Sequence, residues 1–159
     1  MNRAVFDTNV IVSGFLSPAG PPGRIVEWLR SGAVPAVLDD RIAAEYAEVL
    51  ARPAFRLPAV EVDIVLAAIR ARAFWAEAAA GQRAGRLPDP GDAPFLECAR
   101  TAGVPLVTGN LRQFPKSVTG KVPVLTPRNS WRRWKNNGAV QFPSCAPDVA
   151  KPVRNFAAS

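Results

Sequence analysis

Ala4-Val5-Phe6-Asp7-Thr8-Asn9 is a three-residue apolar run that stops abruptly on an acid and two polar residues. A short apolar run bounded by turn-forming residues reads as a buried strand. Val10, Ile11, Val12 and Phe15 then suggest a short helix, ended by Ser17-Pro18-Ala19-Gly20-Pro21-Pro22-Gly23. Ile25, Trp28 and Leu29 recur at i, i+3, i+4, which predicts a helix over 24–31 with Gly32 placed to end it. Residues 34–38 read as a second strand, and Asp39 or Asp40 can cap a helix running to about Arg52, where Pro53 stops it.

The longest helical pattern covers 60–80, with Val65, Leu66, Ile69, Ala73 and Phe74 on its apolar side, and a Gly- and Pro-rich linker follows over 81–91. Asp92 opens a further helix with Phe95, Leu96 and Ala99 inward and Gly103 at its end. Residues 105–108 form a third strand, residues 122–125 a shorter edge strand, and Pro127 starts a basic helix containing Trp131 and Trp134. From Gly138 the periodicity dissolves among Pro143, Pro147 and Pro152. The expected organisation is therefore one domain over 1–138 and a basic extension over 139–159, disordered or draped on the domain. Strands alternating with helices predict an α/β fold with a mostly parallel sheet. Ligands of such sheets bind beyond the carboxyl ends of the strands.

Composition narrows the chemistry. The 159 residues suffice for one domain whose core needs no disulfide, and the two cysteines, Cys98 and Cys145, sit in no CxxC or Cys/His cluster. Asp7 interrupts the N-terminus before an apolar run develops, and no stretch has the ~18 apolar residues of a membrane span. A cytoplasmic, reduced protein without a leader is expected. The chain contains no histidine, which excludes imidazole-based nucleophiles and His-ligated zinc. Residues 112–159 carry nine of the 20 Lys and Arg but one of the 13 acids, so the basic excess lies in the last third. Such a region commonly meets phosphate.

Four oxygen-bearing side chains fall near the ligand edge of the sheet. Asp7 directly follows the first strand, where a helix cap or turn would also explain it. On the helix after the second strand, Ile42, Tyr46, Val49 and Leu50 form an apolar stripe. Glu45 lies about 85° from its centre, at the border of the core, whereas Glu48 lies about 145° away in solvent. A carboxylate at the border needs a partner: an ion pair with Arg41 or Arg52, or a metal. Asp92 starts its helix, where capping is the plain alternative, Asp89 reads as a turn residue, and Glu97 falls on a different face. Asn110 ends the third strand after Thr108 and Gly109. Acids packed together repel by roughly 4 kcal/mol for a pair 4 Å apart at an effective dielectric near 20. A hard divalent cation, Mg²⁺ or Mn²⁺, turns that penalty into a site.

The order Val5-Phe6-Asp7-Thr8-Asn9, then Glu45 through Phe55, then Asp89-Pro90-Gly91-Asp92-Ala93-Pro94-Phe95-Leu96-Glu97, then Leu106-Val107-Thr108-Gly109-Asn110 resembles PIN-domain ribonucleases over roughly residues 3–130. It looks closest to the VapC-like branch, the toxins of bacterial toxin–antitoxin pairs. The resemblance implies a parallel five-stranded sheet sandwiched by helices in three layers. It also implies an Mg²⁺- or Mn²⁺-dependent endoribonuclease that hydrolyses RNA phosphodiesters with a metal-activated water. By position, Asp7, Glu45 and Asp92 match the family's acidic ligands and are the catalytic and metal-binding candidates. Thr8, Asn9, Thr108 and Asn110 support them.

Asn110 stands where the family often has a fourth aspartate, and Gln113 where other members place that acid. This departure gives the alternative of a catalytically weak or inactive PIN-like RNA-binding module. RNA is the expected substrate, an antitoxin protein the expected partner, and self-association as a homodimer a further expectation. Arg112, Lys116, Arg132 and Arg133 could hold the RNA backbone, while Trp131 and Trp134 either stack bases or pack on the core. A phosphatase of the haloacid-dehalogenase type would need a second Asp two residues after the first, and Asn9 occupies that place.

Overall fold

Val5–Phe6 forms β1 and Leu106–Val107 forms β4, and all four side chains are fully buried. Strands covered on both faces read as continuous apolar runs, which is why these short segments stand out in the sequence. The computed structural model describes residues 2–77 and 83–136. The expected extension over 139–159, with Cys145, lies outside them.

β4 pairs in parallel with β1 (Val5 opposite Leu106, Phe6 opposite Val107) and with β5, Val124–Leu125. β2, Val37–Leu38, pairs in parallel with β3, Phe74–Trp75. The described residues thus hold a three-stranded sheet in the order β1-β4-β5 and a two-stranded sheet β2-β3, where one five-stranded sheet was expected. A single parallel bridge between Ala4 and Ala36 joins their edges, with the Val37 N–H donating to the Ala4 carbonyl at 2.8 Å. Together with the seven α-helices among the described residues this is an α/β fold.

Three helices position the site. α1, Thr8–Leu16, starts on Asp7; α3, Asp40–Leu50, starts on Asp39, whose side chain accepts from the Ile42 N–H at 3.0 Å. α5, Ala93–Ala102, buries Phe95, Leu96, Cys98 and Ala99 against β1, β2 and β4, and ends at Gly103 in the left-handed conformation, φ 64°. Burial pushes the Cys98 thiol up to about 12, so it holds its proton and offers no thiolate.

Two helix boundaries differ from the expected ones. α2, Pro21–Ser31, begins three residues earlier, because Pro21 and Pro22 occupy its first positions, where a missing N–H costs nothing. α2 lies close against α1: a Cβ on Gly14 would sit 2.7 Å from the Pro22 carbonyl oxygen. α4 covers Ala59–Arg72 rather than reaching residue 80. Ala73 turns extended, and the Phe74 and Ala76 N–H groups donate to the Ala36 and Leu38 carbonyls at 2.9 and 2.7 Å. The open edge of β2 needs these donors, and aromatic residues suit a strand. A short helix α6, Lys116–Thr119, and the basic α7, Pro127–Asn136, complete the described chain. Trp134 of α7 is buried between Phe6 and Trp28, with ring centroids 6.0 and 5.9 Å away, so it packs on the core. None of these helices is long and apolar enough to cross a membrane.

Candidate functional site

The parallel register decides where the first acid goes. Phe6 stands opposite Val107, so the next residues, Asp7 and Thr108, leave the sheet side by side at its carboxyl edge. The Asp7 N–H still donates to the Val107 carbonyl at 2.8 Å, and the Thr108 N–H to the Leu125 carbonyl at 3.0 Å. The Thr108 hydroxyl, fully buried, donates to Asp7 Oδ2 at 2.7 Å and accepts from the Asn110 N–H at 3.1 Å. Asn9 is the other brace. Its side-chain amide donates to Asp7 Oδ2 at 2.9 Å, its backbone N–H to Oδ1 at 3.2 Å, and its Oδ1 accepts from the Gly109 N–H at 3.0 Å. Asp7 is therefore a helix cap, and its carboxylate is also locked in one orientation by three donors.

Asp7, Glu45, Asp92 and Asn110 line one cavity of about 370 Å³. Glu45, partly buried on α3, accepts from the Thr8 hydroxyl at 2.8 Å. Neither suggested arginine takes it: Arg41 pairs with Asp39 and Glu97, both at 2.7 Å, and Arg52 with Glu48 at 2.8 Å. Asp92 occupies the position before α5 but makes no capping bond with its side chain, so capping does not account for it. Among the described residues no ion pair includes Asp7, Glu45, Asp89 or Asp92.

The electrostatics follow. Burial raises the Asp7 carboxyl, offset in part by the bonds from Thr108 and Asn9. Burial raises Glu45, with Asp7 and Glu48 adding to the rise and Thr8 opposing it. Asp92 rises furthest, to about 7, first through burial and then through the charges of Asp7, Asp89 and Glu45. Carboxyls that raise one another share one field, a signature of functional sites. The donor set, all oxygen and all anionic, fits a hard divalent cation in chemistry and in its common cavity. Among the described residues no three acids are drawn together into a ready-made ligand cluster, although Asp7, Glu45 and Asp92 were expected to converge on one ion.

The remaining sequence candidates scatter. Arg112 is exposed on the 3-10 turn Leu111–Gln113, and Lys116 is exposed at the start of α6; neither lines the cavity. Arg133 lines a different hollow with Asn2, Arg3 and Pro105, beside the amino ends of β1 and β4, and Arg132 is exposed on α7. Trp131 is half-buried under Lys135, whose ammonium lies 4.8 Å from the ring centroid.

Other residues of the site escaped the sequence reading. Asp89 does make its turn, accepting from the Gly91 N–H at 2.8 Å, yet it also lines the cavity; its i, i+3 spacing from Asp92 was the available signal. Tyr46, placed in the apolar stripe, donates its hydroxyl to the Phe6 carbonyl just before Asp7. Arg52, Phe55 and Gln113 complete the wall, and the Gln113 side-chain oxygen is buried without a hydrogen-bond partner. No periodicity or spacing announces these contacts.

No curated protein and no solved structure matches the chain. The sequence profile of the PIN domain matches residues 3–112, a span that holds Asp7, Glu45, Asp92, Thr108 and Asn110. With well over half of its length matched, the chain belongs to the PIN domain family, whose members are generally nucleases.

Proposed function

We propose that this protein is an Mg²⁺- or Mn²⁺-dependent endoribonuclease and the toxin of a toxin–antitoxin pair, acting in the cytoplasm. The observation that carries the reading is that Asp7, Glu45 and Asp92 line one cavity with raised pKa values, and that among the described residues none of the three is in an ion pair. Such an arrangement costs stability, which makes sense where a ligand of opposite charge offsets it. Asp7 and Asp92 would hold the cation, with Glu45 as a further ligand or as the holder of a water. A bound divalent ion supplies a water of lowered pKa and offsets charge on the phosphate oxygens. Thr108 and Asn9 keep the Asp7 oxygens aimed, and the Thr8 hydroxyl does the same for Glu45.

The toxin role rests on the likeness to the VapC-like branch. It brings an antitoxin whose basic or apolar segment would cover the acidic cleft, and a homodimer. Purified protein should cleave single-stranded RNA with Mg²⁺ or Mn²⁺, and EDTA, Asp7→Asn or Asp92→Asn should abolish the cleavage. Absence of cleavage of any RNA with either ion overturns the reading.

One observation favours a second reading. Asn110 and Gln113 leave one side of the cavity neutral, which suits an RNA-binding module with little or no turnover. That module would bind RNA in a salt-sensitive way, and binding would survive both chelation and the same two substitutions.

A further inference from the structure

RNA approaching this cavity meets four carboxylates, Asp7, Glu45, Asp89 and Asp92, whose field repels its phosphates. Among the described residues lining it, Arg52 is the one cation. Its positive charge reaches Glu45, which it helps to lower. Its one ion pair, to Glu48, joins side chains that are 52% and 70% exposed, and such a pair binds weakly enough to exchange for a better anion. A phosphate is better, because a guanidinium meets two of its oxygens at once.

Three residues on, Phe55 lines the same wall. The segment between them is a 3-10 turn, Pro53–Phe55, in which the Phe55 N–H donates to the Arg52 carbonyl at 3.2 Å and the Arg56 N–H to the Pro53 carbonyl at 3.1 Å. Arg56 closes it with φ 50° and ψ 38°, the one non-glycine residue at positive φ among the described residues. A side chain held in that region marks a turn fixed by its surroundings, and such turns cluster where ligands are positioned. Phe55 itself is partly buried against the core, so its ring is a fixed platform with one part open to the cavity.

We infer that Arg52 and Phe55 form the substrate-positioning wall of the site: Arg52 holds a backbone phosphate of single-stranded RNA while Phe55 stacks on an adjacent base. This rests on the ribonuclease reading above. The pair supplies what the acids lack, a cation and an aromatic face, the two elements of single-strand binding. Positioning places these residues in KM and in binding rather than in the chemical step.

The test compares Arg52→Gln, Phe55→Leu and Phe55→Trp with the wild type. Binding of a labelled single-stranded oligoribonucleotide is followed by anisotropy in EDTA, and cleavage is followed with Mn²⁺. Arg52→Gln should weaken binding about ten-fold and flatten the plot of log affinity against log salt by about 0.7, one phosphate contact on a single strand. Phe55→Leu keeps the apolar contact with the core but removes the stacking face, and should weaken binding about 5- to 100-fold. Phe55→Trp should restore it. Both losses should appear in KM, with kcat changed less than three-fold, and Phe55→Leu should leave Mn²⁺ affinity measured by electron paramagnetic resonance unchanged. Wild-type binding, salt slope and KM in Arg52→Gln and Phe55→Leu, alongside active wild-type protein, would overturn this inference and leave the nuclease reading intact. A wild type that binds RNA in EDTA but never cleaves it would sink the nuclease reading alone. A wild type that neither binds RNA in EDTA nor cleaves it with Mn²⁺ would overturn both.

Discussion

Asp92→Asn should make the metal-free protein more stable at alkaline pH while destroying its activity. The Asp92 carboxyl has its pKa raised from an ordinary 3.8 to about 7, through burial and the charges of Asp7, Asp89 and Glu45. Below about pH 4 the group is protonated in both the native and the unfolded chain, and it costs nothing. Between about pH 4 and 7 the unfolded chain releases the proton while the native state keeps it. The native state then binds more protons, so stability falls as pH rises, and above about 7 the penalty is complete. A rise of roughly three pH units at about 1.4 kcal/mol each sets an upper bound of about 4 kcal/mol. Asp92 is only half-buried and open to the cavity, so screening reduces this to about 1–2 kcal/mol. Asparagine removes the charge and loses no cap, since the Asp92 side chain makes no capping bond. Urea denaturation in EDTA at pH 3.5 and pH 8 measures the effect. The variant should match the wild type at the lower pH and exceed it by about 1–2 kcal/mol at the higher. A variant no more stable at pH 8, or one with the same advantage at both values, would refute the picture of crowded, uncompensated carboxyls.

Three further outcomes follow from the same contacts. In a thermal melt at pH 8, Mn²⁺ should raise the midpoint of the wild type and leave that of Asp7→Asn unmoved; equal shifts in both would detach Asp7 from the ion. Tyr46→Phe strips the donor from the buried Phe6 carbonyl and should cost about 1–3 kcal/mol in chemical denaturation, whereas a change within a few tenths would mean that the bond is dispensable. Gly23→Ala should destabilise by several kcal/mol, because a Cβ there would collide with the backbone of Pro18, while Gly103→Ala meets open space and strains only the left-handed φ of 64°, costing about 1 kcal/mol. Comparable losses in the two glycine variants would contradict the close approach of the Pro18 backbone to α2.

Much of the site was legible because its signals are local. Asp7 is conspicuous as an acid directly after an apolar run, and Glu45 because its place on the helical wheel is too near the core for an unpartnered charge. What those residues touch was not local. Arg41 lies four residues before Glu45, at helical pairing distance, yet its guanidinium turns to Asp39 and to Glu97, 56 residues on. Glu45 takes instead the hydroxyl of Thr8, 37 residues away on another helix. Helical spacing lists the partners in reach, and packing selects among them.

The sequence by itself determined the alternation of strands and helices, a cap at Asp39 or Asp40, and three candidate acids: Asp7 after a strand, Glu45 at the border of a helix's apolar stripe and Asp92 at a helix start. Each of these depends on a few adjacent residues whose periodicity or turn chemistry is written in order along the chain. Only the tertiary structure decided that Phe74–Trp75 leaves a helical pattern to pair with β2, that five strands divide three and two, and that Asp89, Arg52 and Phe55 share a wall with Asp7. These outcomes depend on an open strand edge or an opposing surface supplied by distant parts of the chain, and unpaired backbone donors and crowded charges settle where they are satisfied, whatever the neighbouring residues prefer.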